Sequence, residues 1–133
     1  MRSALYIITV IALLFGLAAC GEDRSSLAKK TVQTYWQDIA SGKTGQAYKL
    51  LTSGNRVHTD LKSYNADMLQ FLTTTGGIKA KVGEPSVDDD HATVPVTLIS
   101  PKSAQNLNAY QHLFWENGSW HISDNNGGLS RTK

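Results

Sequence analysis

Leu113-Phe114-Trp115-Glu116-Asn117-Gly118-Ser119-Trp120-His121-Ile122 is the stretch that decides the fold. Asn-Gly between two alternating apolar runs is the strongest short-range signal for a two-residue type I′ turn, because both central residues must take positive φ. The turn joins a strand ending at Glu116 to one beginning at Ser119. Trp115 then pairs with Trp120 and Leu113 with Ile122 on one face, while Phe114 pairs with His121 and His112 with Ser123 on the other. A slip of one residue would expose both tryptophans, so the pattern itself sets the register.

Working back from this hairpin, Ala92, Val94, Val96 and Leu98 alternate with Thr93, Pro95 and Thr97, and Ile78, Ala80 and Val82 alternate with Lys79 and Lys81. Both runs have the period of a half-buried strand, and Pro85 ends the earlier one or confines it to an edge. With Ala109 and Gln111 added, the inward positions contain a single polar side chain, Gln111. Asp88-Asp89-Asp90-His91 reads as a solvated turn between strands. Adjacent residues of an extended segment point to opposite sides, and the run lacks the glycine and distal glutamate of a calcium loop, so no metal site is expected there.

Upstream of Gly77 the apolar period becomes helical. Ala28, Val32, Tyr35, Trp36 and Ile39 predict a helix over Leu27–Ser41, capped by Ser25 or Ser26 and stopped by Gly42. A short helix over Gly45–Leu51 follows, capped by Thr44 and ended by Ser53-Gly54; a third runs over Asp60–Thr73 on the stripe Leu61, Tyr64, Met68, Phe71 and Leu72. The expected architecture is α+β: three N-terminal helices packed on a curved antiparallel sheet of about four strands.

The N-terminus has a different job. Arg2, the apolar run Ala4–Ala18 and the small residues before Cys20 have the order of a secretory leader. A permanent span needs roughly 20 apolar residues, and the run stops at Gly21-Glu22-Asp23-Arg24. Leu17-Ala18-Ala19-Cys20 resembles the lipobox of bacterial lipoproteins. That resemblance implies a diacylglycerol on the Cys20 thiol, removal of the leader and acylation of the new amino group. The alternatives are a free cysteine or an ordinary secretory cut one or two residues further on. Gly21 in place of aspartate implies the outer membrane, facing the periplasm, in a bacterium that has one. The expected divisions are residues 1–19 as leader, 20–26 as lipidated tether, 27–124 as the folded domain and 125–133 as a flexible tail.

The chain has 133 residues, 13 Lys and Arg against 11 Asp and Glu, and a formal charge of +2. Its cations are scattered, so no nucleic-acid partner is expected. Cys20 is the only cysteine, which leaves no internal disulfide, and nothing in the sequence calls for a cofactor.

Three helices leading into a curved sheet, Tyr35-Trp36 within the first helix, Gly42 and Ala47-Tyr48 after it, Asp90-His91-Ala92-Thr93-Val94 turning into a strand, and the closing Glu116–Ile122 hairpin together resemble the NTF2-like superfamily. Within it, the likeness is to small bacterial lipoproteins of unknown function. The resemblance implies helices on the concave side of the sheet and a conical pocket between them. Its members include isomerases, dehydratases, small-ligand binders, transport factors and periplasmic secretion components, so fold alone does not choose a function.

An isomerase or dehydratase needs an ionisable base facing the pocket, and the inward strand positions supply none; no catalytic residue is assigned. The first expectation is therefore a lipid-anchored, non-catalytic envelope protein that binds a partner protein or a second copy of itself. The outward residues Tyr110, His112, Phe114 and His121 form the candidate interface, unless the tail covers part of them. His112 and His121, diagonal on that face, offer at most a weak metal contact. The second expectation is a binder of a small apolar ligand in a cone lined by Trp36, Leu98, Gln111, Trp115 and Trp120. An enzyme is the third.

Overall fold

The computed structural model describes residues 23–123 and the strand at 129–131. The expected leader, its lipobox and Cys20 lie outside the described residues, as do 124–128 and 132–133.

Helix α1 spans Arg24–Ala40, and its N-cap is Asp23, whose carboxylate accepts from the Ser26 amide at 2.7 Å. The helix thus starts ahead of Leu27, and Ser25 and Ser26 lie inside it rather than capping it. A charged cap oxygen at the positive end of the helix dipole favours Asp23 over either serine. Residues 24–26, expected in the tether, are therefore helix.

Helix α2 is Thr44–Lys49. It stops short of Leu51 because Leu51 bridges to Ile122 of the hairpin: the Ile122 amide donates to the Leu50 carbonyl at 2.7 Å, and the Thr52 amide to the Ile122 carbonyl at 2.9 Å. Helix α3, Ser53–His58, begins at Ser53-Gly54, where a helix was expected to end, and makes four helices among the described residues in place of the expected three. It buries none of its residues, so apolar periodicity had nothing to register. Helix α4, Leu61–Thr75, is capped by Asp60, which accepts from the Ser63 amide at 2.7 Å, and ends on left-handed Gly76 at φ 71°.

The sheet has six strands: β1 (Lys79–Val82), β2 (Ser86–Asp88), β3 (His91–Ile99), β4 (Leu107–Glu116), β5 (Ser119–Ser123) and β6 (Leu129–Arg131). The order is β1-β3-β4-β5, with β2 beside β1 on the same side of β3 and β6 following β5 along β4. The two strands beyond the expected four are three residues long, too short to show alternation. Strand β6 falls in the stretch expected as a flexible tail; it pairs Leu129 with Gln111 and Arg131 with Ala109. Residues 129–131 thus run antiparallel along β4.

The hairpin has the register derived above, from His112 opposite Ser123 to Glu116 opposite Ser119. Asn117 and Gly118 take φ 50° and 81°, as a type I′ turn requires. A second tight turn at Asp89-Asp90 sets Asp88 opposite His91, with Asp89 at φ 49°.

One face of this curled sheet is covered by helices. The core there joins Ala28, Val32, Trp36 and Ile39 of α1 to Val94, Val96 and Leu98 of β3, Leu113 of β4 and Trp120 and Ile122 of β5. No described helix is long and apolar enough to cross a membrane.

Candidate functional site

Of the residues expected to line a pocket, Trp36 lies on α1 and Leu98, Gln111, Trp115 and Trp120 on the sheet. Trp36, Leu98, Gln111 and Trp120 are buried, with Trp115 half-buried beside them. Trp36 meets Tyr35 edge-on at 5.2 Å, and Trp115 meets Trp120 edge-on, also at 5.2 Å. Trp120 donates its indole N–H to the Arg24 carbonyl at 2.8 Å. The Arg24 guanidinium lies 4.1 Å over the Trp115 ring and bonds the Asp89 carbonyl and an Asp90 carboxylate oxygen, each at 3.0 Å. The start of α1 is thereby fastened to both tight turns of the sheet.

No cavity formed among the described residues is lined by more than one of these five side chains. Trp36 lines a groove of about 420 Å³ between α1 and β1. Leu98 lines a cavity of about 270 Å³ at the C-terminal end of α4, with Phe71, Ile78 and Leu107. Trp115 lines an open hollow of about 530 Å³ beside α3. Gln111 and Trp120 line none of these three. Tyr35 and Tyr64, both buried, join hydroxyls at 3.0 Å.

The hollow beside α3 brings together His58, Asp90 and Glu116. Both carboxylates already hold structure in place. Glu116 accepts from the Ser53 amide at 3.1 Å and from its hydroxyl at 3.0 Å, fixing the start of α3, while Asp90 pairs with Arg24.

The opposite face carries the expected interface. Alternation along β4 turns Tyr110, His112 and Phe114 outward; Tyr110 stays 38% exposed and Phe114 44%. His91, expected only as part of a solvated turn, joins them as the first residue of β3. It places Nε2 at 3.3 Å from His112 Nδ1. The rings are 11° from parallel and their centres 5.5 Å apart, so the two nitrogens lie between the ring centres and face one another. That is an imidazole–imidazole hydrogen bond, one ring donating and the other accepting. Zinc needs about 2.0–2.1 Å to each nitrogen, which two facing lone pairs at this separation do not allow. Burial, and then charge on His91, push His112 below the ordinary histidine value. Phe114 tilts against His91 with ring centres 5.1 Å apart.

His121, diagonal to His112 in the observed register, turns its Nδ1 to within 3.2 Å of the Ser119 carbonyl in its own strand. Among the described residues no three His, Cys, Asp or Glu side chains are grouped to hold a metal ion. The signal for His91 was present in the alternation of β3, which extends one residue back from Ala92 and sends His91 to the same side as Thr93.

Among solved structures, a protein of Campylobacter jejuni described as an NTF2-like transpeptidase resembles this chain with a TM-score of 0.56, covering 72% of this chain and 96% of its own at 14% identity. A likeness at that identity is one of fold, and the fold here is NTF2-like. No protein-family profile and no curated protein matches the sequence.

Proposed function

We propose that this chain is a non-catalytic binding domain, held on the bacterial envelope by lipid on Cys20, that engages a partner protein or a second copy of itself through the outer face of its sheet. In a double-membraned bacterium the anchor is in the outer membrane and the domain faces the periplasm. The observation that carries the reading is the contrast between the two faces. The aromatic and aliphatic side chains of the helix-covered one are mostly buried, whereas Tyr110 and Phe114 stay exposed beside the His91–His112 pair on the other. Adjacent exposed aromatics next to polar groups are a common composition for contact surfaces.

A photo-crosslinking residue placed at Phe114 in intact cells tests this, with the same residue at exposed Lys49 as the control. A discrete adduct at Phe114 and none at Lys49 is the expected result. Equal adducts, or none at either position, would remove the outer face from consideration. Intact-mass analysis of the same material tests the anchor separately.

A second reading has one specific observation behind it. The cavity of about 270 Å³ at the end of α4 has Phe71, Ile78, Leu98 and Leu107 among its walls and Lys102 at its side. A small apolar group with an anionic end fits that lining, and native mass spectrometry would show its extra mass.

A further inference from the structure

Strand β1 forms one end of the sheet order, paired on one side with β3 and on the other with no described strand. The direction of its free backbone groups follows from a single bond. The Gly83 amide donates to the Pro95 carbonyl at 2.8 Å, which makes this facing pair a hydrogen-bonded one. Antiparallel ladders alternate bonded and non-bonded pairs. In the observed register, Lys81 opposite Thr97 and Lys79 opposite Ile99 are then the bonded pairs. The amides and carbonyls of Ala80 and Val82 point the other way, to the open edge.

Beside that edge runs the groove of about 420 Å³, with Gln33, Trp36, Gln37 and Ala40 of α1 on one wall and Ile78, Ala80 and Val82 on the other. The glutamines offer amide donors and acceptors, and the buried Trp36 indole N–H has no acceptor among the described residues. Lys81 and Lys79, the latter also reaching the rim of the groove, are exposed and form no ion pair among the described residues.

We propose that the β1 edge accepts an extended acidic peptide segment of a partner protein as an added strand. Main-chain bonds to Ala80 and Val82 supply the pairing, in the manner of β-strand addition. Side chains of the added strand that lie opposite Ala80 and Val82 enter the groove, and those opposite Lys79 and Lys81 carry the carboxylates. Charge disfavours the simplest competitor. A second copy pairing edge to edge would bring its own lysines against these, and like charges across a ladder are destabilising.

The test uses the full acylated protein in detergent micelles and a short, end-blocked, fluorescent peptide alternating glutamate and valine, read by anisotropy. The lysine–valine peptide is the charge control. Ala80→Pro removes an edge amide that β3 does not use, so the ladder within the sheet is retained, and proline is accepted on edge strands. The expected results are binding of the glutamate peptide only, a loss of about tenfold or more in Ala80→Pro, and a switch of preference to the lysine peptide in the Lys79→Glu/Lys81→Glu double variant. Equal binding of both peptides, or undiminished binding by a folded Ala80→Pro protein, overturns the proposal. So does a self-dimer in sedimentation that Ala80→Pro abolishes, since the edge would then belong to a second copy.

Discussion

His91 and His112, 21 positions apart in the chain, face each other across β3 and β4 with ring nitrogens 3.3 Å apart. Only one proton fits between two such nitrogens, and burial already disfavours the charged form of His112. The native value of His112 is thus below its ordinary 6.5, so as pH falls through 6.5 the unfolded chain takes up a proton that the folded chain resists. Stability is full above that value and declines as pH drops toward the lowered native one. Urea midpoints measured from about pH 8 to about pH 5 will fall in the wild type and fall less steeply in His112→Gln. An identical slope in the variant would assign the pH dependence to other groups.

The Asn117-Gly118 turn is a matter of backbone conformation alone. Gly118 sits at φ 81°, and a Cβ there would meet nothing within 4 Å, so Gly118→Ala costs only what the left-handed region costs an L-residue, about 1–2 kcal/mol. Gly45, in α2, has the same open surroundings without a positive φ, and Gly45→Ala will stabilise by about 0.5–1 kcal/mol. Opposite signs in chemical denaturation are the expected result.

Those two glycines also mark what the sequence made legible. The hairpin register could be read because a two-residue turn with one acceptable geometry ties both strands together, and the inward side of β3 because four apolar residues alternate without a break. The His91–His112 contact could not. It depends on the register of β3 against β4, joined through residues 100–106, a connection whose length does not determine which residues face each other. Helix α3 was invisible because it is held by Thr52 and by the Glu116 carboxylate on Ser53, contacts with no apolar periodicity. Which cavities Trp36, Leu98 and Trp115 line depends on how α1, α3 and α4 seat on the sheet, a packing outcome that residue spacing does not encode.

Trp120 and Leu113 separate two sources of stability. Leu113 is fully buried, and Leu113→Ala will cost about 2–5 kcal/mol by loss of burial and the cavity left behind. Trp120→Phe keeps most of the ring contact with Trp115 but deletes the donor to the Arg24 carbonyl, a loss of about 1 kcal/mol on the usual scale for one such bond. If Trp120→Phe is as damaging as Leu113→Ala, ring volume rather than the hydrogen bond holds α1 to the hairpin.

Asp23 controls the same junction from the solvent side. Hydrogen bonds from the Ser26 backbone and side chain hold its carboxyl below the ordinary value of 3.8, and Ser63 does the same for Asp60 at the start of α4. A lowered carboxylate contributes stability that is present above 3.8 and is lost as pH falls through the native value. Asp23→Asn keeps a cap acceptor and removes the titration, so hydrogen exchange in the first turn of α1 will stay slow and lose its acid sensitivity. Asp23→Ala removes the acceptor as well. The first turn then frays at neutral pH, and Arg24 no longer stays in place over Trp115 and against Asp90. Exchange should therefore quicken at the Asp89-Asp90 turn too, although no residue there is altered. Quickening confined to α1 would mean that the turn holds its shape without Arg24.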